Sequence, residues 1–257
     1  MNKGQLINMI NDTLDKCEND YQWMVDNAKN NYYSAEHFKI ETKIKKFSKA
    51  NIKLVKKTTV ETIIENKNKV FAVLNFASAK TPGGGVLRGA FAQEEALARV
   101  SSLLPLIDQC VEFYTSTSAP HYSDKIIYST PIYIFKNEHG VYIDPIECDI
   151  ITCAAPNYNS GRFDYKHMRI MTTRFTKVLK SAIANGQRNL ILGAWGCGVF
   201  RNPPSVNAQI FRKVLDDYSD SFDEIIFAIP DDSNYKVFKD YLFDKTDLEN
   251  AIDTYNV

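Results

Sequence analysis

Two adjacent carboxylates, Glu94 and Glu95, follow shortly after three consecutive glycines, Gly83-Gly84-Gly85. Carboxylates donate and accept protons in catalysis, and a run of glycines lets the backbone take positive φ angles and exposes the main chain to a ligand. The stretch therefore predicts a backbone cradle with proton-transfer groups beside it. Each part also has a plain structural explanation, because glycines turn chains and glutamates in the first turn complement a helix dipole.

The elements on either side must position these groups. Val70–Leu74 is a short apolar run that predicts a buried strand, and Pro82 and the glycines end it. Gln93 then opens a helix. Its inner face carries Leu97, Val100 and Leu104. Ligands of open α/β sheets bind just past the carboxyl ends of the strands, which is where this turn is expected.

A second glycine loop, Gly196 to Phe200, lies between a predicted strand, Asn189–Trp195, and a helix that begins at Pro203-Pro204. Successive N–H groups in such a loop form an anion-binding nest next to a helix N-terminus. No lysine of the Walker type follows, which argues against a nucleoside triphosphatase. Cys197 is rejected as a nucleophile because no histidine lies near it in the sequence.

Three stretches together carry a family resemblance. NFASAKTPGGGVLRGAFAQEEALAR, Asn75–Arg99, resembles the signature of the bacterial-type poly(ADP-ribose) glycohydrolases, a branch of the macrodomain superfamily: GGG, a spacer, then QEE. ITCAAPN at Ile151–Asn157 and LGAWGCGVF at Leu192–Phe200 are similar too, in the same order. The resemblance runs from about Ile52 to about Ile229. It implies a macrodomain-like three-layer α/β/α fold with a mixed sheet.

The resemblance also implies an activity, the hydrolysis of ribose–ribose O-glycosidic bonds that releases ADP-ribose from chain ends. It makes Glu95 the general acid that protonates the leaving 2′-hydroxyl and then the base that activates water, while Glu94 fixes the ribose hydroxyls. Neighbours on a helix point about 100° apart, so the two cannot act as a symmetrical pair, but this does not choose between them. For the general acid, the direction of the pKa shift stays open, because burial beside Glu94 would raise its pKa whereas the helix N-terminus would lower it.

The implied substrate-binding residues are Asn75, Gly83, Gly84, Gly85, Gln93, Gly196, Cys197, Gly198, Val199 and Phe200. Asn75 would hold the ribose on the scissile side, and the loop from Gly196 resembles the macrodomain diphosphate loop. Phe200 packs either against a ribose or into the core, Ala155-Pro156-Asn157 is expected to line the cleft, and Tyr158 and Phe163 are candidates to stack on adenine. Two alternatives remain open: removal of single ADP-ribose units from protein or nucleic acid, and a reader that binds ADP-ribose without cleaving it.

Composition narrows the remaining choices. Lys+Arg and Asp+Glu both number 31, so the net charge of zero argues against nucleic-acid binding over the whole surface. The five cysteines are odd in number and form no CxxC, and the four histidines lack metal-type spacing, so we expect neither a disulfide framework nor a zinc site. We expect no metal and no organic cofactor, no membrane segment, a cytoplasmic location, and a monomer whose partners are ADP-ribosylated protein or poly(ADP-ribose).

The 257 residues are expected to form one catalytic domain with three parts: an accessory helical and basic segment at 1–50, an α/β core at 51–245 and a polar tail at 246–257. Apolar residues at three- and four-residue steps from Leu6 to Ala28 predict one long amphipathic helix packed on the core. Eight lysines lie between Lys39 and Lys57. They are either a solvated surface or a region that weakly attracts a polyanion.

Further along the chain, Ile52–Val55 predicts an edge strand and Thr58-x-x-Glu61 a capping box. Residues 125–143 predict a hairpin-like excursion around Pro131, separate from a central strand at Asp149–Ala155. The remaining predicted elements are a helix at about His167–Ala184, a last strand at Glu224–Ile229 and a last helix at Tyr235–Phe243.

Overall fold

The computed structural model describes residues 1–33, 49–115, 118–159 and 164–243. The α-helices of this part are α1 (Lys3–Asn19), α2 (Gln22–Asp26), α3 (Thr59–Glu65), α4 (Gln93–Val100), α5 (Leu103–Ile107), α6 (Val111–Thr115), α7 (Tyr165–Ala184), α8 (Pro204–Tyr218) and α9 (Asp232–Leu242). The strands are β1 (Lys29–Tyr33), β2 (Asn51–Val55), β3 (Ala72–Phe76), β4 (Ile126–Lys136), β5 (Tyr142–Cys153), β6 (Asn189–Leu192) and β7 (Glu224–Ala228). Short 3-10 helices lie at Val86–Arg88 and Ser219–Ser221.

The strands form one mixed sheet in the order β1-β4-β5-β3-β6-β7-β2. β4 pairs antiparallel with both β1 and β5, whereas β5, β3, β6, β7 and β2 run parallel. The carboxyl ends of the parallel strands therefore share one edge of the sheet, and β3 lies in the middle of it. β2 is an edge strand, as predicted.

Alternate side chains of the strands enter two separate cores. Val73 and Ile150 pack with helices α1 and α3 to α6 on one face of the sheet, while Leu74 and Ile151 pack with α7, α8 and α9 on the other. This alternation follows from the two-residue period of a strand. The expected three-layer α/β/α architecture is confirmed.

The prediction of one long N-terminal helix was wrong. The helix ends at Asn19, a second short helix follows, and the chain then forms β1, whose Lys29 pairs with Thr130 of β4. The apolar stripe continues through the break because Cys17 and Met24 pack with Phe135 in one small cluster. The pattern could not reveal β1, since the edge that it pairs with lies 100 residues away in sequence. The prediction that this region packs on the core is confirmed, because α1 contacts α4 and the turn at Val86–Arg88.

Three smaller boundaries also differ. The excursion and the central strand are not separate, because β5 is continuous from Tyr142 to Cys153 and pairs with β4 over most of its length. Leu104 belongs to α5, since α4 ends at Val100, and β3 begins two residues later than predicted, at Ala72. The capping box at Thr58 and Glu61 is confirmed. The first four lysines of the lysine-rich run and the polar tail lie outside the described residues. Among the residues that are described, no helix is long and apolar enough to cross a membrane.

Candidate active site

The turn after β3 and the first turn of α4 bring the predicted carboxylates together. Glu94 is buried, with 3% of its surface exposed. Its Oε2 accepts a hydrogen bond from the backbone N–H of Ser78 at 2.7 Å, and its Oε1 lies 3.4 Å from the Asn75 amide nitrogen. The backbone N–H of Gly83 also donates to this carboxylate. Both oxygens of Glu94 are thus held by the protein.

Glu95 is held on one side only. Its Oε1 accepts a hydrogen bond from the Gly85 N–H at 2.9 Å. Within the described ranges, Oε2 receives no hydrogen bond from the protein. Glu95 lines the cleft although only 8% of its surface is exposed. This second oxygen is the part of the pair that is free to meet a substrate.

Gly84 lies against both carboxylates. A Cβ at this position would be 2.5 Å from Glu95 Oε1 and 3.0 Å from Glu94 Oε2, and the residue has φ = +60°. A side chain is therefore excluded by both the contact and the backbone conformation. The glycine allows the two carboxylates to approach the main chain, which is the reason for a glycine here.

Gln93 anchors α4 to the strand. Its Oε1 accepts from the Phe76 N–H at 2.8 Å, and its Nε2 donates to the Leu74 carbonyl at 2.8 Å. The amide continues the hydrogen bonding of β3 beyond the end of its pairing with β6, and it fixes the start of the helix. Gln93 lines the cleft, but the observed bonds of its side chain position Glu94 and Glu95.

Asn75 lies at the end of β3, completely buried. Its Nδ2 lies 3.3 Å from Thr152 Oγ1 on β5, in addition to its contact with Glu94. Its Oδ1 has no hydrogen-bond partner in the described part of the chain. A buried, unpaired amide oxygen next to a carboxylate is an available acceptor for a donor such as a hydroxyl group.

The surroundings of Glu94 shift its pKa upward. Burial raises the pKa of Glu94 to about 8, and the charge of Glu95 adds to this effect. The N–H groups of Ser78 and Gly83 and the Asn75 amide oppose it without cancelling it. The Glu94 carboxyl therefore keeps its proton at neutral pH.

The second glycine loop follows β6 and approaches the same cleft. Gly196, Gly198, Val199 and Phe200 line the cleft. Over the described residues, the N–H groups of these four donate to no protein group, whereas the Cys197 N–H donates to the Ala194 carbonyl. A loop with several free N–H groups beside the N-terminus of α8 can hold an anion.

Cys197 lies apart from the other predicted loop residues. Its thiol donates towards the Trp195 carbonyl and accepts from the Asn207 amide at 3.4 Å, on the inner side of the loop. Burial raises the pKa of Cys197 to about 12, so the thiol is protonated at neutral pH. This agrees with its rejection as a nucleophile. Phe200 is half-buried and packs against Tyr122, with ring centroids 5.7 Å apart.

Two buried and hydrogen-bonded side chains, Asn202 and His167, support this loop, and sequence reasoning missed both of them. Asn202 donates from Nδ2 to the carbonyls of Gly196 at 2.9 Å and Pro156 at 2.8 Å. Its Oδ1 lies 2.9 Å from His167 Nε2, and both residues are almost completely buried. Burial lowers the pKa of His167, which favours a neutral ring that donates from Nε2. A histidine at the start of a helix could not be matched to a loop 35 residues away from spacing alone.

The cleft has a volume of about 640 Å³. The carboxylates lie near the ends of β3 and β5, and the cleft continues past β6 to Pro230, Asp231 and Asn234 after β7 and to Thr58 and Thr59 after β2. Neighbouring strands are about 4.8 Å apart, so this is room for an extended dinucleotide-like molecule. Ala155 lines the cleft, whereas the adenine candidate Tyr158 does not, and Phe163 lies outside the described residues.

The described residues contain no group of three His, Cys, Asp or Glu side chains that could hold a metal ion. The groups that line the cleft include the carboxylates of Glu94 and Glu95, the guanidinium of Arg88 and backbone N–H donors, while the Asn75 amide oxygen lies behind Glu94 and does not line the cleft. This set can bind hydroxyls and an anion and can transfer protons.

The three-layer fold and the two glycine loops at its strand ends define a macrodomain-like protein with a site of glycosidase type. The family model described as the microbial-type PARG catalytic domain matches residues 8–137, about half of the chain. The chain belongs to this family. No curated protein sequence matches it.

Solved structures extend the similarity over most of the chain. The poly(ADP-ribose) glycohydrolase of Thermomonospora curvata is 28% identical with a TM-score of 0.81, and the comparison covers 91% of this chain and 97% of that one. The same enzyme bound to the inhibitor ADP-HPD is 30% identical, with a TM-score of 0.80 and the same coverage. The enzyme of Deinococcus radiodurans in complex with ADP-ribose is 29% identical with a TM-score of 0.77, covering 86% of this chain and 96% of that one.

Proposed function

We propose that the protein is a poly(ADP-ribose) glycohydrolase that hydrolyses ribose–ribose O-glycosidic bonds and releases ADP-ribose from chain ends. Membership of the microbial-type PARG family supports this proposal, as does the similarity to enzymes solved with ADP-ribose and with ADP-HPD. The reaction needs a proton for the leaving oxygen and a base for water. Carboxylates supply both, so the proposal includes no metal and no organic cofactor.

The observation that carries the mechanism is the asymmetry between the two carboxylates. Glu94 has both oxygens held by protein donors, whereas Glu95 Oε2 faces the cleft without one. Glu95 is therefore the proposed general acid and base. Each oxygen of Glu94 has a second lone pair, so Glu94 can still accept a hydrogen bond from a ribose hydroxyl and orient the sugar.

In this proposal, Glu95 transfers a proton to the leaving 2′-oxygen as the glycosidic bond breaks. Burial raises the pKa of the neighbouring Glu94 to about 8, so Glu94 keeps its own proton at neutral pH and places little negative charge beside Glu95. Once its proton has been transferred, Glu95 is ionised and removes a proton from water, whose oxygen bonds to the anomeric carbon.

The remaining predicted residues bind the rest of the ADP-ribose unit. In this proposal, Asn75 Oδ1 accepts a hydrogen bond from the ribose next to the scissile bond, and Gly83, Gly84 and Gly85 form the floor below that ribose. The free N–H groups from Gly196 to Phe200 hold the diphosphate. The adenosine half then lies past β6, towards the ends of β7 and β2.

The test uses a poly(ADP-ribosyl)ated protein incubated with the wild type, with Glu95→Gln and with Glu147→Gln as a control. Glu147 is an exposed glutamate on β5, outside the cleft. Free ADP-ribose and the chains left on the protein are measured. We expect Glu95→Gln to lower kcat by roughly 10²- to 10⁴-fold, as for loss of a general acid, while ADP-ribose binding by calorimetry stays within about threefold.

Other outcomes would replace the proposal. Release of ADP-ribose only from singly modified protein would indicate a mono-ADP-ribosyl hydrolase. Binding of ADP-ribose by the wild type without release from any substrate would indicate a reader. Full activity of Glu95→Gln would mean that another group transfers the proton.

The proposal also includes a cellular compartment and an assembly state. All five cysteines are free thiols, which suits a reducing, cytoplasm-like compartment. The proposed active species is a monomer with one catalytic domain. Size-exclusion chromatography with light scattering tests the assembly state.

A further inference from the structure

Two side chains at the mouth of the cleft have no role in the reaction described so far. Arg88 ends the 3-10 helix after the glycine turn and is exposed. Phe91 lies three residues further on, and 79% of its surface is exposed. Both line the same cleft as Glu95. An exposed aromatic ring and a nearby guanidinium at a cleft rim are features of a binding surface.

Arg88 lies beside the proposed general acid. Its Nη2 is 3.9 Å from the position of a Cβ on Gly85, and Glu95 Oε1 is 3.7 Å from the same position. In the part of the chain that is described, the Arg88 side chain forms neither an ion pair nor a hydrogen bond with a protein group. A free guanidinium that faces a cleft is a strong partner for a phosphate group.

Phe91 provides a flat apolar surface next to this cation. Its ring lies over the guanidinium of Arg99, which is 5.6 Å from the ring centroid and is itself buried. The buried Arg99 also donates to the Ala90 carbonyl at 2.8 Å, so it supports the ring from below. An aromatic ring fixed in this way and open to solvent can stack on a nucleobase, whatever the base.

The chemistry of the substrate points to one occupant. The scissile bond joins the terminal ribose to the 2′-oxygen of an adenosine in the next unit, and that adenosine carries both an adenine and a 5′-phosphate. The terminal unit already has an anion site in the loop from Gly196 to Phe200, so a second cation beside Glu95 is suited to a second phosphate. We infer that Arg88 and Phe91 form a subsite for the leaving unit, in which Arg88 binds its phosphate and Phe91 stacks on its adenine. This inference rests on the proposed function.

Two substrates separate this subsite from the rest of the cleft. One is poly(ADP-ribose), and the other is ADP-ribose with 4-nitrophenol at its anomeric carbon, whose leaving group has neither phosphate nor adenine. We expect Arg88→Ala and Phe91→Ala each to raise KM for chains about tenfold, within the range for loss of one charged hydrogen bond or one stacked base. Turnover of the nitrophenyl substrate and the Kd for ADP-ribose should stay within about twofold.

Matched variants sharpen the result. Leu87→Ala removes an exposed side chain from the same turn that does not line the cleft, and it should change neither substrate. Phe91→Trp should keep the KM for chains near that of the wild type, and Arg88→Lys should restore part of it. Both altered positions are exposed, so the variants are expected to fold.

The outcomes are distinct. An equal loss on both substrates, or a weaker Kd for ADP-ribose, would place Arg88 and Phe91 against the terminal unit and overturn the inference. No loss on chains would show that the leaving unit makes no use of them. If the wild type cleaves the nitrophenyl substrate but no chains, the proposed function itself fails, whatever the variants do.

Discussion

The two glycine loops of the cleft use the same backbone feature for opposite purposes. After β3, the N–H groups of Gly83 and Gly85 donate to Glu94 and Glu95. After β6, the N–H groups of Gly196, Gly198, Val199 and Phe200 have no partner among the described residues. The N–H groups of the first loop donate hydrogen bonds to the protein's own carboxylates and so hold these groups in place. The unpaired N–H groups of the second loop are available to a ligand.

The difference lies in what faces each loop. The helix that follows the first loop starts with two glutamates, and their carboxyl oxygens accept hydrogen bonds from the exposed backbone N–H groups of the loop. The helix that follows the second starts with Pro204 and places no acid in its first turn. A glycine loop at a strand end therefore does not show by itself whether it binds a ligand, because this depends on whether the facing helix offers acceptors for its N–H groups.

The largest effect is expected from an alanine in the first loop. Gly84→Ala places a methyl group within 3.0 Å of both carboxylates at φ = +60°, so we expect turnover to fall by more than about 100-fold and stability by roughly 1–3 kcal/mol. Gly198→Ala in the second loop meets no protein atom within 4 Å, so its stability should stay within about 0.5 kcal/mol. Urea denaturation and initial rates measure both. Equal destabilisation by the two variants would contradict the contrast between the loops.

A smaller effect is expected from the support of the second loop. Asn202→Ala removes buried hydrogen bonds to Gly196, Pro156 and His167. We expect about a tenfold rise in KM for chains, from the loss of loop order, with kcat within about twofold because the carboxylates are untouched. Asn159→Ala is the control, since its amide donates to the same loop at Val199 from an exposed position. A drop in kcat without a change in KM would mean that Asn202 and His167 act on the carboxylates instead.

The last prediction concerns the pH dependence of stability and not turnover. An unfolded Glu94 titrates near 4.5, whereas burial raises the pKa of the folded carboxyl to about 8. Between these values the folded state keeps a proton that the unfolded state has released, so wild-type stability falls as the pH rises. Glu94→Gln removes this loss and should be more stable than the wild type at pH 8, by on the order of a few kcal/mol, with the difference shrinking towards pH 4.5.

Denaturation curves at several pH values measure this difference. Glu147→Gln, on the surface, should follow the wild type at every pH. Parallel curves for Glu94→Gln and wild type would show that Glu94 is ionised in the folded protein and would contradict its protonation at neutral pH.

Much of the architecture could be predicted from sequence because the signals are local. The capping box at Thr58, the glycine-ended helix α7 and the proline-opened helix α8 each depend on a few neighbouring residues. The strand β1 could not be predicted, because KNNYY has little apolar alternation and is stabilised by its pairing with β4. Likewise, no local signal shows that Tyr142 to Cys153 is one strand instead of two.

The sequence by itself determined that a glycine turn and two carboxylates follow a central strand, because those residues are close in the chain and their motif is specific. Only the tertiary structure decided how the carboxylates differ. Among the described residues, Glu95 Oε2 accepts no hydrogen bond, whereas both oxygens of Glu94 are held by protein donors. Burial in the surrounding core raises the pKa of Glu94. His167, Asn202 and Arg88 likewise gained their places only through folding. Burial and hydrogen bonding bring together groups that lie far apart in the chain, and the spacing of residues in the sequence does not predict such contacts.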